Sequence, residues 1–250
     1  MASNCGDDMS IIVDVSDVSM AYHIRNGAAP TFKETILNSF REKSRDVEVT
    51  AIKNLSLQIR RGEILAIVGR NGAGKSTLLK LLAGVLPPST GRVIVRGSIA
   101  PMIELGAGFN GELTGYENIV LYGTLLGRSP AQMRDRAKEI TDWAGLQESI
   151  NLPLRTYSSG MIARLAFAIA TDQKSDLIIM DEILSVGDME FQEKSRSRVQ
   201  NVMNSDSAIV LVSHDLDSVR KMANQALWID HGQVMKYGNV NSVIDAYLHA

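Results

Sequence analysis

The sequence predicts an α/β fold built around a mainly parallel sheet. Three observations point there. Short apolar runs of strand length recur at 63–68, 177–181 and 208–212. Each ends in polar or glycine residues and is followed by a stretch with helical pattern, the alternation expected of strand–helix units. The first run leads directly into Gly69, Arg70, Asn71, Gly72, Ala73, Gly74, Lys75 and Ser76, which fit G-x-x-x-x-G-K-[ST] at every fixed position.

The elements follow in order. Alternation of apolar and polar residues over 11–22 predicts a strand. Asn26-Gly27 and Pro30 mark a loop, and 31–45 carries a weak helical pattern. A second alternating strand covers 50–59, and Arg61-Gly62 turns the chain into the buried strand 63–68. Thr77 and the leucine-rich residues after it form a helix. Pro87-Pro88 breaks the chain before short strands near 93–95 and 98–103, and 114–170 is mostly helical. Strand 177–181 is followed by a helix to about Met203. Strand 208–212 precedes another helix, then a hairpin over 227–237 turning at His231-Gly232, then a helix over 241–250.

Composition narrows the function. At 250 residues and 45% hydrophobic, the chain can bury a sizeable core, and a single domain over 1–250 is expected. A net charge of −2 gives no global sign of a nucleic-acid binder. Cys5, the single cysteine, has no intrachain partner for a disulfide, which fits a reducing cytosol. No apolar run approaches the ~20 residues of a membrane helix, and the acidic start lacks a secretory pattern.

The glycine loop between a strand and a helix is a phosphate cradle. Its backbone N–H groups and the helix N-terminus carry partial positive charge. Lys75 can reach β/γ-phosphate oxygens, and the Ser76 hydroxyl can ligate Mg²⁺. Asp181 and Glu182 end an apolar strand, where one carboxylate can hold Mg²⁺ through water and the other can polarise an attacking water. His214 also follows an apolar strand, which sets it on the ligand edge of a parallel sheet. Ser158, Ser159 and Gly160 open an apolar helix. They form either a second anion-ready helix end or a plain N-cap.

Together these residues resemble the nucleotide-binding subunit of ATP-binding cassette (ABC) transporters, over about 11–250. The loop at 69–76 matches Walker A, and 177–181 matches Walker B with Glu182 at the catalytic glutamate. Tyr157, Ser158, Ser159, Gly160 and Met161 resemble the L-S-G-G-Q signature. Ser185, Val186, Gly187 and Asp188 resemble the D-loop, His214 the switch histidine, and Tyr22 the aromatic that stacks on adenine. Ser159 replaces a signature glycine, Met161 replaces the glutamine, and Glu104 stands at the Q-loop glutamine, where it would join Ser76 and Asp181 at the metal. The stretch 102–119, with Tyr-Ser-Ser-Gly-Met, resembles the ATPase subunits of bacterial polysaccharide exporters for O-antigen, capsule and teichoic acid, in a form lacking a C-terminal carbohydrate-binding domain.

The resemblance implies a P-loop NTPase of ABC type: a mainly parallel core sheet, an N-terminal antiparallel β subdomain, and a helical subdomain over about 105–165. It implies ATP and Mg²⁺ as cofactors and a head-to-tail dimer with a second copy, in which Ser158 and Gly160 complete the partner's ATP site. It further implies a polytopic membrane permease and a lipid-linked glycan as partners, at the cytoplasmic face of the inner membrane. Rival readings are a soluble cassette ATPase of DNA repair or translation, a small-molecule kinase, and a cassette for another cargo such as a lipid or drug. The segment 31–45 presents Phe32, Ile36, Leu37 and Phe40 on one face with Lys33, Arg41, Lys43 and Arg45 around it. It reads either as a helix meeting anionic headgroups or as an ordinary surface helix.

Overall fold

The computed structural model describes residues 10–24, 47–103, 105–181, 189–203 and 206–250. The expected helix at 31–45 lies outside them.

Two sheets form the framework. In the first, β1 (Ile11–Ile24) lies between β2 (Val47–Arg60) and β4 (Thr90–Val95), antiparallel to both. This is the expected N-terminal antiparallel unit. The second runs β5 (Ile99–Met102), β6 (Leu177–Asp181), β7 (Ala208–Val212), β3 (Ile64–Val68), β8 (Gln225–Asp230), β9 (Gln233–Asn239). It is parallel from β5 to β8, and β9 closes it by an antiparallel hairpin.

The central strands read as unbroken apolar runs because both of their faces are covered. One face, with Leu65, Ile67, Leu177, Ile179, Val210 and Val212, packs on α1 (Lys75–Leu82) and on Val13, Val15, Ile52 and Leu57 of the first sheet. The alternate residues Ala66, Val68, Ile178, Met180, Ile209 and Leu211 face Phe167, Phe191, Val243 and Ile244. These last four come from three helices: α4 (Ser159–Ala170), α5 (Met189–Met203) and α7 (Val240–Leu248). The period of two in a strand sorts the residues between the two layers.

A helical layer joins α2 (Gly115–Leu125), α3 (Pro130–Ala144) and α4 around Ile119, Tyr122, Met133, Ile140, Leu165 and Ile169. Its helices start where side chains cap them. Thr114 with Glu117 and Ser129 with Gln132 form capping boxes, and Pro130 occupies the first turn of α3. Asn118 of α2 is fully buried, accepting from the Asn110 N–H and donating to the Asn110 and Thr114 carbonyls. It fixes the loop that enters the layer. The helix α4 ends at Ala170, where the expected helical stretch 114–170 ends. Its later residues Phe167 and Ala170 leave the helical core and pack on the sheet. The helix α6 (Leu216–Met222) follows β7.

Candidate functional site

Strand β3 delivers the glycine loop. Gly69 is buried, and a Cβ on it would collide with the Ile229 carbonyl of β8. At Gly74 φ is +109°, and a Cβ would stand 2.5 Å from the Ala51 oxygen. Only glycine lets the backbone pass this close to its neighbours. The loop is buttressed from the β8–β9 turn: the Gly232 N–H donates to the Ala73 carbonyl at 2.9 Å, and the Lys53 N–H donates to the Gly232 carbonyl at 2.8 Å. Sequence reasoning saw His231-Gly232 as a hairpin turn and missed this support. The signal was local, whereas the contact joins residues far apart in the chain.

Lys75 curls back over the loop, its Nζ donating to the Gly69 and Arg70 carbonyls at 2.8 and 3.0 Å. The start of α1 differs from those of five other α-helices. Thr114, Ser129, Ser158, Asp215 and Asn239 each accept a backbone N–H at the helix they open, whereas Gly74 offers α1 no side-chain cap. The first N–H groups of a helix need an acceptor from outside it. At α1 no side chain supplies a cap, and a positive helix end lies beside the Lys75 ammonium. That donor set fits the phosphate groups of a nucleotide. Arg70, Asn71 and Ser76 are exposed on the same loop, Gly72 has open space around it, and Ala73 is buried beneath.

The neighbouring strands end level with β3. Val212 of β7 is in register with Asp181 of β6 on one side and with Ile67 of β3 on the other. The chain therefore leaves all three strands at one sheet edge. Two strand spacings, about 10 Å, separate the ends of β6 and β3. Asp181 is half-buried there and His214 is exposed. Beyond His214, the Asp215 carboxylate caps α6 by accepting from the Asp217 and Ser218 N–H groups. The Ser218 hydroxyl and N–H hold that carboxyl below its ordinary pKa.

Tyr22 comes from the other sheet. Its hydroxyl lies 3.4 Å from the Thr77 hydroxyl, which sets a 36% exposed ring beside the first turn of α1. An aromatic face next to a phosphate cradle is suited to stacking on a base.

The structure thus gathers Tyr22, residues 69–77, Asp181 and His214. It does not gather Ser158, Ser159 and Gly160 with them inside one chain. These sit at the start of α4, where the Ser158 hydroxyl accepts from the Met161 N–H at 3.2 Å, as a plain N-cap does. Ser158 and Ser159 are exposed, and a Cβ on the half-buried Gly160 would meet only the Ser158 hydroxyl oxygen, at 3.9 Å. Glu104, Glu182 and the segment 185–188 lie outside the described residues.

Comparison with known proteins follows the same lines. Residues 52–185 match the family described as ABC transporter. The chain is 41% identical to the O-antigen export system ATP-binding protein RfbB of Myxococcus xanthus, over 98% of its own length and 57% of that protein's. It is 35% identical to RfbB of Klebsiella pneumoniae, over 97% and 99% of the two chains. It is 37% identical to the teichoic acids export ATP-binding protein TagH of Bacillus cereus, over 96% and 43%. Among solved structures, an ATP-binding subunit of an ABC transporter superposes with a TM-score of 0.71 at 20% identity, over 94% of this chain and 93% of that one. A dimeric ATP-binding cassette in a post-hydrolysis state bound to ADP and Pi gives 0.67 at 22% identity, over 91% and 98%. At such identities the likeness is one of fold.

Proposed function

The chain belongs to the ABC transporter family, and from that membership we propose that it is the ATP-hydrolysing subunit of a polysaccharide exporter. One observation carries the nucleotide site: the helix without a side-chain cap behind the glycine loop shares a sheet edge with Asp181 and His214. In this reading the loop N–H groups and Lys75 hold the β- and γ-phosphates, and Tyr22 stacks on adenine. Ser76, Asp181 and Glu104 would hold Mg²⁺, which supplies charge neutralisation at the phosphates. Glu182 orients or deprotonates the attacking water, and His214 contacts the γ-phosphate edge. The start of α4, with Ser158 and Ser159 exposed and Gly160 half-buried, is unshared with its own phosphate loop. It serves the site of a second copy arranged head to tail.

The cargo assignment rests on the relatives, which are named for O-antigen and teichoic-acid export. A lipid-linked glycan, moved by a membrane permease that this subunit drives from the cytoplasmic face, fits those names. Export of another lipid or a drug is the competing reading. No described helix is long and apolar enough to cross a membrane.

The test is Glu182→Gln. The amide fills the same space but cannot take the proton, so hydrolysis should fall by about 100-fold or more while ATP binding survives. Light scattering should then reveal an ATP-dependent dimer. Unchanged turnover without that dimer would remove Glu182 from the site. In cells, loss of the chain should leave the glycan lipid-linked and inside. Normal surface glycan would favour the other cargo.

A further inference from the structure

The C-terminal end of α4 is held more elaborately than a helix end requires. Arg128 donates to the Ile169 carbonyl at 2.6 Å, and Arg198 donates twice to the Thr171 carbonyl, at 3.1 and 2.8 Å. Arg136 makes a two-pronged contact with the buried Asp172 carboxylate, at 3.1 and 2.9 Å. Cations suit a helix C-terminus, whose free carbonyls carry partial negative charge.

These arginines come from different parts of the molecule. Arg136 is on α3 and Arg128 lies between α2 and α3, so both join α4 to its own layer. Arg198 is on α5, the first described element after strand β6 and its Asp181. It does not act alone. The Arg198 guanidinium lies 4.4 Å from the centre of the Trp143 ring on α3, and the Lys194 ammonium lies 5.0 Å from it. Lys194 also donates to the Trp143 carbonyl at 2.7 Å. Phe191 meets Trp143 edge-on at 5.2 Å, and Trp143 stacks on Phe167 of α4 at 5.6 Å. Phe191, Lys194 and Arg198 recur at helical spacing on one face of α5, and all three close on Trp143.

The geometry points to this face of α5 as a clamp that couples the two halves of the ATP site, with Arg198 as a positioning residue for hydrolysis. The inference rests on the proposed ATPase reading. The helix α4 is a rod whose start, Ser158 to Gly160, is offered to a second copy. Through Phe191 and Val199 the helix α5 shares a core with Met180, the residue before Asp181 on β6. Arg198 and Lys194 tie the far end of the rod to that helix. A shift at the end of β6, beside Asp181, is thereby passed to the residues that meet the partner's nucleotide, and the reverse holds too. Burial lowers the Arg198 pKa from its ordinary value, yet a guanidinium remains charged at neutral pH.

The experiment compares full-length variants. Arg198→Gln should bind a fluorescent ATP analogue within about twofold of wild type, keep its KM, and lose about tenfold in kcat. Arg198→Lys, which keeps the cation, should recover most of that loss. Arg136→Gln breaks a contact within the helical layer, so it should lower thermal stability while leaving kcat near wild type. Trp143 reports on the clamp directly. In a Trp228→Phe background it is the sole tryptophan, and ATP with Mg²⁺ should change its fluorescence unless Arg198 is Gln. Should Arg198→Gln not fold, Lys194→Met, at an exposed position, should still lower kcat about threefold at unchanged stability. Wild-type kcat in the Arg198 and Lys194 variants overturns the clamp, as does an equal loss in Arg136→Gln. If Lys75→Ala hydrolyses ATP as fast as wild type, the ATPase reading itself fails. A dead Lys75→Ala beside a normal Arg198→Gln removes the clamp alone.

Discussion

Lys75 shows how little a single residue needs when the backbone around it is right. Its ammonium already rests on two carbonyls of its own loop, so the loop holds it over the space the phosphates would fill. Charge-assisted hydrogen bonds are worth about 1.5–3 kcal/mol each. Lys75→Ala should therefore weaken ATP binding at least tenfold, or about 1.4 kcal/mol, in a fluorescence titration. Equal affinity would take the lysine out of the phosphate site. The glycines act by absence. Gly69 and Gly74 stand where a Cβ would strike the Ile229 and Ala51 carbonyls, so the loop's shape depends on two strands far away in sequence.

At the scale of elements, the parallel strands set the site by ending together. Register between β6, β7 and β3 aligns Asp181, Val212 and Ile67, and the loops that follow inherit that alignment. The helix α4 has the opposite arrangement. Its middle is shared by two cores, its C-terminal end is tied down by arginines, and its start is left exposed. An exposed start suits a role toward another chain. Ser158→Arg should leave monomer ATP affinity unchanged and block hydrolysis by at least tenfold, because the bulk would sit in the proposed closed dimer. Mixed with Lys75→Ala chains, it should leave at most one working composite site. A monomer of Ser158→Arg that lost nucleotide as badly as Lys75→Ala would refute the arrangement in trans.

Across the whole molecule, Asp176 joins the pieces. It accepts from the Ser98 N–H and hydroxyl at the entrance to β5 and from Arg61 at the turn before β3, and its own carbonyl accepts from the Ala208 N–H at the start of β7. The Ser98 N–H first, then the Arg61 guanidinium, hold its carboxyl below the ordinary value of 3.8. A depressed folded-state pKa stabilises the fold above the unfolded value, and that stabilisation is lost as pH falls through the folded one. Asp176→Asn should cost about 1–2 kcal/mol in urea unfolding at pH 7, and the gap should narrow below about pH 4. The same gap at about pH 3 as at pH 7 would mean that the carboxylate's charge contributes nothing.

Much of this protein was legible from residue order alone, for a physical reason. Strands buried on both faces must be apolar throughout, so 177–181 and 208–212 announced their length and ends. A phosphate loop must have glycine where the backbone crowds and lysine where charge is needed, so 69–76 announced its chemistry. The sequence also carried the ABC resemblance, since its motifs keep a fixed order. What it did not carry were contacts between segments that no local rule connects. Gly232 under the phosphate loop, Tyr22 against Thr77, and Arg198 reaching across to Thr171 and Trp143 depend on how layers pack. The core served by the end of α4 belongs there too, because only the packing of Phe167 and Ala170 on the sheet shows it. Local propensity chooses the elements. Burial against distant partners decides which of their faces meet, and the candidate site is assembled from those faces.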